Sequence, residues 1–148
     1  MSDQLKYPIS WWVAVDGEYE ADGPIRRIVY RNIHTDEKLP SHKLPYGAIF
    51  ESKNSFKGPD GLSLVCVVPQ YAEKRENYTY WYLDGRASNC TKPDDMEHRC
   101  WVRHGKFGES MHVDKNGNTC QAGAGSIMVQ GFHGFLHHDY LIDLDRKA

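Results

Sequence analysis

Short β-branched and aromatic runs recur along the chain, separated by Gly-, Pro- and Asn-containing turn signals every 8 to 15 residues or so, the rhythm of an all-β domain. The pattern predicts strands over 9–15, 25–33, 46–51, 62–68, 78–83, 99–104, 107–113, 126–129, 131–136 and 140–144. Asp16-Gly17 is read as the stop of the first strand, and Lys115-Asn116-Gly117-Asn118 as a hairpin turn. Residues 54–61 turn between two paired strands, and 35–45, with two prolines, read as an irregular loop. Residues 62–68 are almost continuously apolar, as expected of a strand covered on both faces, with Cys66 a small buried hydrophobe inside it. Residues 70–77 are the one helical stretch expected before position 90, with a further single turn over 93–97. The expected architecture is mainly β: one antiparallel sandwich or barrel-like domain spanning 1–148, with one or two helical turns.

Composition narrows the functional classes. A chain of 148 residues with 40% hydrophobic and 26% charged residues can build one core. A net charge of -2 argues against a dedicated nucleic-acid binder, which ordinarily carries a basic excess. No apolar run approaches the roughly 18 residues of a membrane span, and residues 1–8 lack the apolar stretch of a signal peptide, so neither a membrane protein nor ordinary secretion is expected.

The chemistry is unevenly distributed. Histidines 98, 104, 112, 133, 137 and 138 and cysteines 90, 100 and 120 all lie in the last part of the chain. Residues 1–86 therefore read as a scaffold half and 87–148 as a Cys/His-rich half. On a strand, His98 and Cys100 share a face. A helical turn before them and the hairpin after them could deliver Cys90 and Cys120 to the same end of a sheet. Three thiolates and one imidazole make a closed tetrahedral zinc set. No Cys-x-x-Cys pair is present, so buried thiols, or a Cys90–Cys100 disulfide, stand as the alternatives.

His133 and His137, on one face of a strand, form a second candidate metal or proton-transfer pair, against the ordinary reading of imidazoles bonded to backbone carbonyls. His138-Asp139 reads as a turn. His104, His112, His133 and Asp114 are the parts available for an open, catalytic metal site, although nothing in their spacing requires one. The loop 123–126 lacks the Lys-Ser/Thr ending of a phosphate-binding loop, and the segment from Asp114 lacks the glycine and glutamate of a calcium loop. The aromatic clusters Trp11-Trp12 and Tyr78, Tyr80, Trp81 and Tyr82 read chiefly as packing residues, with stacking on bases or sugars the competing use.

The segments Ser88-Asn89-Cys90-Thr91, 95–105 (DMEHRCWVRHG), 113–127 (VDKNGNTCQAGAGSI) and His133-Gly134-Phe135-Leu136 resemble a signature of small uncharacterised proteins encoded by phages and prophages. The likeness covers residues 81–140 and implies a viral gene product in a bacterial cytoplasm or in the virion. It brings no established activity or metal. A compact β domain with many turns and near-neutral charge suits lateral packing onto other subunits, so the first expectation is a non-enzymatic structural component of a phage particle, such as a head-decoration, head-completion or tail accessory protein. Such a protein would contact other virion proteins or itself as a homo-oligomer, with Trp11 and Trp12 as interface anchors and the cysteine cluster as a zinc staple. The alternative is a small metal-dependent hydrolase or nuclease, or an effector directed at the host. Thiolate-rich ligands favour the non-enzymatic reading.

Overall fold

A computed structural model describes residues 4–52, 61–72, 77–83, 91–92, 94, 100–114, 127–137 and 139–147. The chain is mainly β, with two packed sheets. The first strand, β1 (Gln4–Pro8), precedes β2 (Ser10–Asp22), β3 (Ile25–Asn32) and β4 (Lys38–Pro40). A single 3-10 turn (Ser41–Lys43) leads to β5 (Ala48–Glu51), β6 (Leu64–Pro69) and β7 (Tyr78–Tyr82). Then come β8 (Val102–Lys106), β9 (Ser110–Asp114), β10 (Ile127–Val129), β11 (Phe132–His137) and β12 (Tyr140–Lys147).

One sheet runs β4-β3-β2-β5-β6-β7, and the other β1-β12-β11-β9-β8 with β10 also paired to β11. All but one of the pairings are antiparallel, the exception being the short parallel contact of Ser10 and Trp11 with Ala48 and Ile49. The scaffold half thus builds one sheet. The other sheet takes all its strands from the Cys/His-rich half except β1.

Alternation along the strands decides where the core sits. Trp11, Ile49, Cys66, Val68 and Trp81 on the first sheet meet Met111, Val113, Phe132, Leu136 and Leu141 on the second. Trp12, Tyr30, Ala48, Phe50, Val65 and Val67 gather in a separate cluster around the opposite face of the first sheet. Every residue of β6 is consequently buried, as its continuous apolar run predicts. Burial also pushes the Cys66 thiol far up in pKa, so it stays protonated.

Three polar links tie the sheets across this core. The buried Arg103 guanidinium of β8 donates to Leu62 O at 3.0 Å. Tyr71 and Ala72, just after β6, donate their backbone N–H groups to Gln130 O between β10 and β11. The Tyr71 hydroxyl donates to the fully buried Asp143 carboxylate of β12 at 2.6 Å, and the Asp145 N–H occupies the other carboxylate oxygen.

Several local expectations are corrected. The first strand does not stop at Asp16-Gly17: β2 continues to Asp22 through a register shift between Ala14 and Tyr19, because a bulge absorbs the break against β3. Residues 35–45 contain β4, paired with Val29–Arg31, and the 3-10 turn. Residues 70–72 and 77 are not helical, since the backbone N–H groups of Tyr71 and Ala72 bond across to the other sheet; 73–76 lie outside the described residues. The expected turns at 54–61 and 115–118 and the helical turn at 93–97 also fall largely or wholly outside them.

Trp11 and Trp12 are 3% and 1% exposed, which overturns their expected role as surface anchors: adjacent strand residues point to opposite faces, and here both faces are cores. The exposed apolar side chains instead include Tyr19, Ile25 and Ile28 on the β2–β3 ribbon. Among the described residues no helix is long and apolar enough to cross a membrane.

Candidate metal centre

The centre is built on the β8–β9 hairpin. A three-residue turn, 107–109, sets the register so that His104 lies directly opposite His112. Met111 and Val113 of β9 point into the core, which turns His112 and Asp114 together onto the outer face. Gly105 follows His104 at φ 114°, a left-handed value, and a Cβ there would collide with Ser110 O. Only glycine lets the hairpin close this tightly beside the first imidazole.

His104 Nε2 stands 2.9 Å from Asp114 Oδ1, and His112 Nε2 stands 3.0 Å from Asp114 Oδ2. A carboxylate only accepts, so both imidazoles carry their proton on Nε2 and donate it. The two rings lie 4.9 Å apart at a 34° tilt. The donor atoms of the three side chains all fall within 4.8 Å of one another, the one such gathering of three or more metal-ligating side chains among the described residues. Exposures of 38%, 30% and 39% for His104, His112 and Asp114 leave the cluster open to solvent while its backbone is fixed by the sheet.

The group can hold a metal ion. An ion bound at about 2.0–2.2 Å separates neighbouring donors by about 2.9–3.4 Å between octahedral and tetrahedral geometry. The two short N···O contacts go to different oxygens of Asp114, and the three donor atoms lie within 4.8 Å of one another, so the side chains would draw together by roughly 1 Å around an ion. Binding would replace the two Nε2 protons by the ion, as metal binding to imidazole generally does. Two nitrogens and one carboxylate oxygen suit a first-row transition ion over magnesium or calcium.

The other candidates are distributed differently. His133 and His137 both lie on β11 without converging: His133 Nδ1 contacts Asp145 Oδ1 at 3.3 Å, whereas the His137 ring lies 5.3 Å from that of His112. Their expected joint site is corrected, because four residues along an extended strand separate the two imidazoles by about 13 Å. Asp139 is the described half of the expected His138-Asp139 turn; its φ is 70°, and its carboxylate accepts the Met111 N–H at 3.1 Å, fixing the start of β9. His138 lies outside the described residues, as do Cys90, His98 and Cys120 of the cysteine set. Cys100 is fully buried in the inter-sheet core.

Of the four parts the sequence offers for an open site, the structure brings together His104, His112 and Asp114 and leaves His133 apart. A cleft of about 690 Å³, lined by residues including Tyr7, Tyr46, His42 and Tyr78, and a neighbouring one of about 600 Å³ contain none of these ligands. No family model, curated protein or solved structure matches the chain.

Proposed function

We propose that this protein is a zinc-binding β-sandwich whose His104–His112–Asp114 centre keeps coordination positions for water and supports metal-assisted hydrolysis. The observation that carries this reading is the convergence of two imidazoles and a carboxylate from one rigid hairpin onto an exposed sheet face. Three protein ligands with an open position are the arrangement by which zinc makes a hydroxide nucleophile near neutral pH. The test is calorimetric titration of chelator-treated protein with Zn²⁺, with the variants His104→Ala, His112→Ala and Asp114→Ala checked for folding by circular dichroism. One equivalent bound by the native chain and lost in all three folded variants supports the centre. Titration identical in the native chain and the triple variant overturns it. A second equivalent that survives the triple variant but is lost in Cys100→Ser would belong to the Cys90–His98–Cys100–Cys120 set. Hydrolysis of an activated phosphodiester or ester that requires the Asp114-dependent zinc then tests the enzymatic step, and its absence with zinc bound restricts the centre to a non-catalytic role.

A second reading rests on the β2–β3 ribbon, where Tyr19, Ile25 and Ile28 are 51%, 42% and 41% exposed. Those side chains, in place of the buried tryptophans, are the anchors for a phage-particle component that packs on other virion proteins or on itself. Mass spectrometry of virions from the encoding phage checks it: many copies per particle support the reading, and absence from the particle rejects it.

A further inference from the structure

We infer that His137 is a fourth ligand of the same centre, so that the bound ion rests between three imidazoles and one carboxylate. This rests on the proposed metal centre and revises it in one respect: the position for water is held by His137 at rest and opens when that ligand leaves. The pairing of Leu136 with Val113 places His137 of β11 opposite His112, while His104 of β8 faces His112 from the other side. Three imidazoles therefore stand abreast on three adjacent strands, all on the outer face, with Asp114 two residues along the middle strand.

Each neighbouring pair of rings is spaced as imidazoles on one ion are, and His137 would turn toward the middle strand to bring its nitrogen to the other three ligand atoms. A ring bound through nitrogen places its centroid about 3.2 Å from the metal, so two such rings lie about 4.5 Å apart at right angles and about 5.2 Å apart at the tetrahedral angle. The observed separations are 4.9 Å for His104 and His112 and 5.3 Å for His112 and His137. Two inter-strand spacings put the outer backbones about 9.6 Å apart, a span that two imidazoles leaning over the middle strand can close on one ion. His137 is exposed, so its side chain can turn without breaking the core. The neighbouring Leu136 and Val113 are buried and hold the strands in register.

The chemistry of the centre changes with this ligand. Three nitrogens and one oxygen fill a tetrahedral ion, so water or substrate enters only by displacing a ligand or by expansion to five-coordination. His137 is the ligand to be displaced, because Asp114 and His112 share a strand and His104 is locked to them by the hairpin. It acts as a gate on the metal.

Cobalt(II) is the probe, since four-coordinate cobalt absorbs visible light far more strongly than six-coordinate cobalt. The native chain should bind one equivalent with the intense four-coordinate spectrum. His137→Ala should still bind cobalt, about tenfold or more weakly, with the weak spectrum of higher coordination. His137→Gln, which has lost the imidazole but keeps bulk and polarity, should behave like His137→Ala. If the native chain binds cobalt and both His137 variants keep its spectrum and affinity, the fourth-ligand assignment is wrong while the three-residue centre stands. If the native chain binds no cobalt, the centre itself is wrong.

Discussion

Tyr71→Phe isolates one hydrogen bond that holds the two sheets together. The substitution deletes the hydroxyl that donates at 2.6 Å to Asp143, which is fully buried, and leaves the carboxylate with the Asp145 N–H at 3.1 Å. The phenylalanine ring keeps its place under the Arg146 guanidinium, which lies 3.7 Å from the ring centroid, so the loss is confined to the polar contact. A hydrogen bond to a charged group contributes about 1.5–3 kcal/mol, and a buried carboxylate deprived of one donor puts the cost toward the upper half, about 2–3 kcal/mol. At a urea dependence of roughly 2 kcal/mol/M for a domain of this size, the unfolding midpoint should fall by about 1 M with an unchanged slope. Asp143→Asn and the double variant complete a thermodynamic cycle, and the coupling between the two sites should exceed about 1 kcal/mol. A midpoint shift under about 0.3 M, or a coupling energy near zero, would show that water replaces the phenol and that the sheets are held by apolar burial alone.

Two further outcomes follow from the packing. Gly134→Ala should unfold or severely destabilise the protein, because a Cβ there would be driven into Ile142 O and the Phe132 ring; thermal melting reads the loss, and a stable variant would show that β11 and β12 can separate locally. Burial, ahead of the neighbouring Tyr78, raises the Tyr80 pKa, and burial, ahead of Asp143, raises that of Tyr71. A phenol whose folded pKa lies above its unfolded value of about 10 contributes stability that is complete below pH 10 or so and is lost as pH rises beyond it. Urea midpoints should therefore fall steeply above that pH, and less steeply in Tyr80→Phe; parallel curves for the two proteins would refute the assignment.

What the sequence revealed depended on how local each cause was. The buried β6 was legible because both faces of its sheet are covered and each of its residues had to be apolar to be there. By contrast β1 passed unnoticed: Gln4–Pro8 is polar and short, and it becomes a strand only by pairing with β12 at the far end of the chain. Asp16-Gly17 carried a true signal for a backbone irregularity, but a bulge and a turn use the same residues, and only the partner strand distinguishes them. His104, His112 and Asp114 could be named as available ligands, yet nothing brought them together on paper. With strands expected over 99–104 and 107–113, the turn fell too early, and the opposition of His104 and His112 depends on placing its centre at Gly108. A shift of one residue in one strand turns its imidazole to the other face, so register was the missing quantity.

That dependence explains how a centre of only half-buried side chains can be preorganised. The outward position of each imidazole is fixed by its inward neighbour: Met111 and Val113 direct His112, Arg103 reaches Leu62 beneath His104, and Leu136 sits beneath His137. Rotating any of these strands to move a ligand would expose apolar surface or leave the Arg103 guanidinium unpaired in the core, where either costs more than an exposed ion pair contributes. The sandwich thus supplies the rigidity, and the outer face presents the proposed ligands. Asp114, bridging both imidazoles, restrains their side chains before any ion arrives. An affinity loss in Val113→Ala, with all four proposed ligands intact, would be the mark of that division of labour.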